Sequence, residues 1–135
     1  MSSAIFGPTG SKPDADSCKE LGKILDRIAD KWAVLVVGIL SDGPMRFSAI
    51  QRGLSGISHR MLTLTLRGLE RDGLLTRTAY ATAPPRVDYE LTDLGHSLMP
   101  SLEMLLAWVR ANQATIEHAR EKFDKDTQAA VHITP

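Results

Sequence analysis

The sequence contains a single cysteine, Cys18, among its 135 residues. One thiol excludes an intrachain disulfide framework and the zinc motifs that require several cysteines. No apolar run is long enough to span a bilayer, and the first residues lack the basic-then-apolar order of a signal peptide. We therefore expect a cytoplasmic protein that has no membrane segment.

The recognised patterns of catalysis and metal binding are also missing. The four histidines are scattered without the spacing of zinc ligands, and nothing resembles a nucleophile elbow or a paired-carboxylate site. These histidines are His59, His96, His118 and His132. We therefore expect no metal, no cofactor and no enzymatic activity.

Net charge is absent as well, because sixteen basic residues balance sixteen acidic ones. A neutral chain is a weak argument against nucleic-acid binding, but the distribution of charge matters more than its sum. From residue 43 to 69 the sequence has no Asp or Glu, yet it contains Arg46, Arg52, Arg60 and Arg67 beside His59. A locally basic middle is typical of a small nucleic-acid reader. The alternative is a fluctuation of surface composition.

The length and a hydrophobic content of 43% predict one folded domain. Residues 1–16 are rich in Ser, Pro, Gly and Asp, and we expect them to form a flexible tail. The domain is expected to span residues 17–126. A second flexible tail is expected from residue 127 to 135, because the chain turns polar after Phe123.

Capping residues mark the starts of several predicted helices. Ser17 and Glu20 form a capping box before a first amphipathic helix, and Asp30 is placed to cap a second helix that is apolar almost all round. Ser48 and Gln51 form another capping box, which predicts a short helix after an extended piece at 45–47. Ser58 and Gly73 are expected to bound the next helix as its N-cap and its C-terminal glycine.

Beyond Gly73 the hydrophobic period changes to two. The segments LLTRTAY and VDYEL predict a β-hairpin whose loop is stiffened by Pro84-Pro85. In the second strand the alternation places Asp88 and Glu90 on the face opposite the apolar residues. Thr92 is expected to cap a last helix, which Pro100 should kink.

The predicted order is helix, helix, short strand, helix, helix, strand, strand and helix. This is the layout of a winged helix-turn-helix, mainly α with a small β-hairpin. Along 58–71 a helical wheel places Leu62, Thr65, Leu66 and Leu69 toward the core and Arg60, Leu64, Arg67 and Arg71 opposite them. Clustered arginines repel one another, so a function that uses positive charge explains them better than an ordinary solvated face.

In such a domain the N-terminal residues of the second helix read bases in the major groove. Arg60 can donate two hydrogen bonds to guanine, and Thr63 or Leu64 can contact a thymine methyl group. In the hairpin, Arg86 is expected to enter the minor groove and Arg77 to meet the DNA backbone. The candidate DNA-binding residues are Arg46, Ser58, His59, Arg60, Thr63, Leu64, Arg67, Arg77 and Arg86.

Four parts of the sequence resemble the HxlR-type family of bacterial transcription regulators, winged-helix relatives of the MarR regulators. They are DKWAVLVVGIL, GPMRFSAIQRGLSGISHRMLTLTLRGLERDGLL, PPRVDYELTDLGHSL and the later Trp108. The resemblance implies a homodimer that binds operator DNA, usually as a repressor, in the bacterial nucleoid. It also implies that the first and last helices form the dimer interface. The interface residues expected on this basis are Leu21, Trp32, Leu102, Leu105, Trp108 and Val109.

Cys18 resembles a cysteine that many members of this family carry before the first helix, where some use it to sense oxidants or electrophiles. Proline commonly follows that cysteine, whereas Lys19 follows it here. The helix start and Lys19 both favour the thiolate, and Glu20 opposes it. The alternative is an unreactive cysteine at the interface.

An apolar pocket between the first, second and last helices is a candidate site for a small aromatic effector. The alternative function is a winged-helix protein-interaction module that does not bind DNA.

Overall fold

The computed structural model describes the backbone of residues 15–133 and the side chains of residues 16–130. Within that range the chain forms five α-helices and three β-strands. They are α1 (Ala15–Ile28), α2 (Lys31–Ile39), β1 (Met45–Arg46), α3 (Phe47–Gly53), α4 (His59–Arg71), β2 (Leu75–Tyr80), β3 (Arg86–Leu91) and α5 (Asp93–Ile133). The predicted order of elements, and with it the winged helix-turn-helix architecture, is confirmed.

Helix α2 forms the apolar centre of the domain. Asp30 caps it as predicted, with Oδ1 accepting hydrogen bonds from the backbone N–H groups of Trp32 at 2.9 Å and Ala33 at 3.1 Å. Most of the buried apolar side chains come from α2, which is apolar almost all round, and from the apolar faces of α3, α4 and the strands. Those that are almost wholly enclosed are Val36, Val37, Leu40, Ile50, Leu62, Leu66, Leu69 and Leu75.

Two predicted capping boxes are wrong. Helix α1 begins at Ala15, so Ser17 and Glu20 lie inside it and not at its start. Helix α3 begins at Phe47 with Arg46 in the N-cap position, which leaves Ser48 within the first turn. Ser and Thr also occur inside first helical turns, and their spacing to Glu or Gln therefore fixes a helix start only to within one or two residues.

The short strand and the hairpin predicted from the sequence join into one three-stranded sheet, a pairing that the sequence did not predict. The order is β1-β3-β2, and both pairings are antiparallel. Arg46 of β1 pairs with Asp88, and Tyr80 of β2 pairs with Arg86. Because β3 is the central strand, Asp88 is only 8% exposed. The sequence placed Asp88 on the face opposite the apolar residues but did not predict that this carboxylate is buried.

The chain divides into two compact units within α5, after Met99. The first unit ends in the start of α5, which Thr92 caps as predicted by accepting a hydrogen bond from the N–H of Gly95 at 3.1 Å. The second unit begins at Pro100 and is helical to Ile133.

The predicted second tail, residues 127–135, differs from the structure in its first part, because α5 continues through residues 127–133. Ala129 and Ala130 in this segment have the highest helix propensity of the amino acids and favour helix over coil there. The predicted first tail lies outside the described residues except at positions 15 and 16, which are helical. None of the described helices is both long and apolar enough to cross a membrane.

Candidate nucleic-acid interface

Helix α4 is fixed at both ends by local sequence. Ser58 caps its start, where Oγ accepts a hydrogen bond from the N–H of Met61 at 3.0 Å. Ile57 before the cap and Leu62 in the first turn are both buried, in the positions of a hydrophobic staple. Gly73 follows the helix with φ +78°, a conformation that glycine adopts without steric penalty. The bounds predicted from Ser58 and Gly73 are confirmed.

The two faces of α4 differ as the helical wheel predicted. Leu62, Leu66 and Leu69 are at most 1% exposed, and Thr65 beside them donates its hydroxyl hydrogen to the carbonyl of Met61 at 2.8 Å. The opposite face presents the exposed residues Arg60, Leu64, Arg67 and Arg71. Within residues 16–130, neither Arg60 nor Arg67 forms an ion pair. These two guanidinium groups keep their hydrogen-bond donors available to a ligand.

The first turn of α4 is held against the start of α3. The rings of His59 and Phe47 lie with centroids 4.7 Å apart and planes inclined by 48°. Thr63 donates its hydroxyl hydrogen to the carbonyl of His59 at 2.9 Å. Since that hydrogen is engaged, Thr63 is suited to apolar contact through its methyl group or to accepting a hydrogen bond rather than to donating one.

The wing, formed by β2, β3 and the intervening residues 81–85, carries Arg86 in a different setting. The Nε and Nη2 atoms of Arg86 donate to the two carboxylate oxygens of Asp88 at 3.0 and 2.7 Å. The guanidinium also lies 5.2 Å from the ring centroid of Tyr80, close enough for a cation–π contact. Two of the five N–H groups of Arg86 are thus occupied, which leaves three.

Asp88 connects the wing with the helix-turn-helix. The hydrogen bonds from Arg86 lower the pKa of Asp88, and the positive charge of Arg46 on β1 lowers it further against the opposing effect of burial. The same hydrogen bonds raise the pKa of Arg86. Sequence reasoning missed Asp88 as a site residue. The signal was present, since residues two apart on a strand share a face and Arg86-Val87-Asp88 places opposite charges there.

The structure brings Arg77 close to α4. Thr63, Arg67, Glu70, Arg77 and Tyr89 line a groove of about 410 Å³ between α4 and the sheet. Arg67 and Arg77 therefore belong to one surface. A second groove of about 600 Å³ runs along the other side of α4, where Arg27 of α1 lies beside Leu64, Arg67 and Arg71.

Two further surfaces carry the residues expected from the sequence to act as a sensor and a dimer interface. Cys18 lies in the first turn of α1 and is exposed. Leu21 on α1 is 54% exposed, and on α5 Leu105, Trp108 and Val109 are 53%, 58% and 42% exposed. Of the other residues expected at a dimer interface, Trp32 is half-buried and Leu102 is buried in the single chain.

The fold and the basic face of α4 define a winged helix-turn-helix protein of the transcription-regulator class. The model of the HxlR-like helix-turn-helix family matches residues 27–117, and the chain belongs to that family. An HTH-type transcriptional regulator from Methanothermobacter thermautotrophicus is 44% identical over 98 residues, which cover 73% of this chain and 75% of the relative.

Solved structures agree with this assignment. The transcriptional regulator YtfH from Salmonella typhimurium has a TM-score of 0.67 and is 36% identical, covering 73% of this chain and 88% of the other. The redox regulator HypR in its reduced form has a TM-score of 0.67 and is 36% identical, covering 73% of this chain and 98% of the other.

Proposed function

We propose that the protein is a sequence-specific DNA-binding regulator that acts as a homodimer. We further propose that it is a repressor and acts at the nucleoid in the bacterial cytoplasm. The observation that carries this proposal is the exposed face of α4, on which Arg60 and Arg67 have no acidic partner among the described residues. A guanidinium without a counter-ion is available to a phosphate or a guanine edge. Membership of a family of transcriptional regulators supports the same reading.

In this proposal the contacts have separate roles. Arg60, Thr63 and Leu64 read bases from the first turns of α4, with Ser58 and His59 beside them, and Arg67 and Arg77 meet phosphates. Arg86 extends from the wing toward the minor groove. Arg46, on β1, adds a further DNA contact beside the helix-turn-helix. Two copies of α4 in a two-fold dimer would read half-sites about 34–36 Å apart.

The test is selection of bound sequences from a random duplex pool, followed by affinity measurements on the selected operator. Arg60→Ala should relax base preference at one position, whereas Arg67→Ala should weaken all sequences alike. Arg60→Lys serves as the matched control, because it keeps the charge and loses the planar fork. Binding that does not weaken as salt rises would contradict a DNA contact and favour a protein-interaction module.

The proposed dimer rests on the exposed apolar residues of α1 and α5, since a soluble single chain seldom exposes such helix faces without a partner. Leu105→Glu should shift the protein to a monomer in sedimentation. Ala114→Glu is the control, because nine residues along a helix place the same added charge on the opposite face. A wild-type monomer at micromolar concentration would contradict the dimer.

We also propose Cys18 as the input of the regulator, by similarity to the redox regulator HypR. The Cys18 side chain is exposed, and its deprotonated sulfur can attack a small disulfide to form a mixed disulfide, releasing the other sulfur as thiolate. Attack on that mixed disulfide by the partner subunit's Cys18 would form the intersubunit disulfide and release the second small thiolate. Cys18→Ser should then remove the response of DNA binding to a disulfide oxidant. An unchanged response would leave a small-molecule effector as the proposed signal.

A further inference from the structure

Helix α1 is held to the domain with little buried surface of its own. Among its described side chains none is fully buried, and the half-buried residues are Gly22, Arg27 and Ile28. Ile24 and Leu25 on its apolar stripe are 59% and 55% exposed. Whatever sets the angle of α1 must therefore come from a few specific contacts.

One such contact joins Arg27 to α4. The Nε of Arg27 donates to Oδ2 of Asp72, the C-cap residue of α4, at 3.2 Å. The guanidinium lies directly against the backbone of Gly68, because a Cβ at position 68 would overlap it. The bare Cα of Gly68 thus provides the space into which a planar guanidinium fits.

A glycine inside a helix is unfavourable compared with alanine, so the presence of Gly68 within α4 needs a reason. Gly22 and Gly38 also lie inside helices, but a Cβ at either position would meet nothing within 4 Å. Gly68 differs from both because its missing side chain is replaced by Arg27. The comparison makes Gly68 a docking site for a residue of another helix.

We propose that Arg27 is a positioning residue for DNA recognition, which fixes the angle between α1 and α4 by docking on Gly68 and bonding to Asp72. The inference rests on the proposed function, because α1 is expected to contact the partner subunit and α4 to contact DNA. The angle between these helices then sets the separation of the two recognition helices in the dimer. A wrong separation prevents both from docking at once.

The first experiment compares two glycine substitutions by hydrogen exchange in the free protein. Gly68→Ala displaces Arg27 while improving helix propensity, and Gly38→Ala makes the same propensity gain without touching another residue. Peptides of α1 should exchange about two- to fivefold faster in Gly68→Ala, the range expected for loss of a partly exposed ion pair. Gly38→Ala should exchange like the wild type. Arg27→Ala should reproduce the effect of Gly68→Ala, and the double variant should add nothing to either.

The second experiment measures affinity for the selected operator and for the same operator with one base pair inserted between its half-sites. The ratio of the two affinities should fall about fivefold in Gly68→Ala, at the low end of typical coupling between sites. It should be unchanged in Gly38→Ala. Thermal melting of both variants reports folding, and Arg27→Ala replaces Gly68→Ala if the latter does not fold.

Unchanged exchange in α1, or faster exchange with unchanged spacing discrimination, would overturn the positioning role. If the wild-type protein shows no preference among DNA sequences, the proposed function is contradicted instead. In that case the exchange comparison still decides whether Arg27 holds α1 against α4.

Discussion

Helix α4 and the wing present arginine in two different ways. On α4, Arg60 and Arg67 lie in a stretch of sequence without acids and form no ion pair among the described residues. On the wing, Arg86 is held by a two-point hydrogen bond to a buried carboxylate and lies over Tyr80. Both arrangements leave donors facing outward.

The difference follows from the backbone that carries each residue. A capped helix on a leucine core is already rigid, so its arginines need no additional partner and gain by avoiding one. A two-stranded extension has little core beneath it, and a long side chain there keeps many rotamers unless a neighbour restrains it. Asp88 supplies that restraint, at the expense of one positive charge in the local field.

The largest expected effect comes from removing the helix arginines together. The double variant Arg60→Ala, Arg67→Ala should lose roughly a hundredfold in operator affinity, because a base contact and a phosphate contact disappear at once. Fluorescence anisotropy over a salt series measures it. The salt dependence should become shallower, and an unchanged slope would show that neither arginine meets phosphate.

A smaller effect is expected in the wing, with a sign that separates two explanations. Asp88→Asn removes a negative charge, so simple electrostatics predicts tighter binding, whereas loss of restraint on Arg86 predicts about fivefold weaker specific binding. Glu90→Gln is the matched control, since it removes the same charge two residues away on β3 without a contact to Arg86. If both variants bind more tightly, Asp88 does not position Arg86.

The N-cap of α4 should affect stability more than recognition. Ser58→Ala removes the acceptor for the N–H of Met61 and should lower the free energy of unfolding by about 1 kcal/mol. Chemical denaturation measures this, with Ser55→Ala in the preceding turn as a control. Equal stability of the two variants would mean that the cap contributes nothing.

The smallest effect concerns pH. The pKa of Asp88 is lowered from 3.8 in the folded protein, so its ion pair contributes stability above that value and loses it as the pH falls through the lowered folded pKa. Near neutral pH the contribution of this ion pair to stability therefore does not change with pH. An acid titration followed by NMR of the Arg86 side chain should show release only below pH 3.8, and release at higher pH would contradict the pair.

The features that could be predicted from the sequence are those that depend on neighbours along the chain. The leucine and arginine stripes of α4 follow from a helical period, and the caps at Asp30, Ser58 and Thr92 from residues three or fewer positions away. A strand period likewise predicted β2 and β3.

The missed features depend on distant parts of the chain. The burial of Asp88 requires β1 to pair with β3, across more than forty residues of sequence. The docking of Arg27 on Gly68 has the same origin, since α1 and α4 meet only in the folded chain. Helical residues 127–133 were missed because the polar stretch after Phe123 was interpreted as the end of the helix, whereas a polar composition does not exclude one.

The pairing of Tyr80 with Arg86 closes the sheet below residues 81–85, and these residues form no rungs of its ladder. Insertions or deletions there would leave strand register and core intact. Evolution could therefore lengthen or shorten the tip to suit a new groove width while α4, the proposed major-groove reader, stayed as it is. Grafting residues 81–85 from other family members onto this chain offers a direct way to alter the proposed wing contact without changing α4.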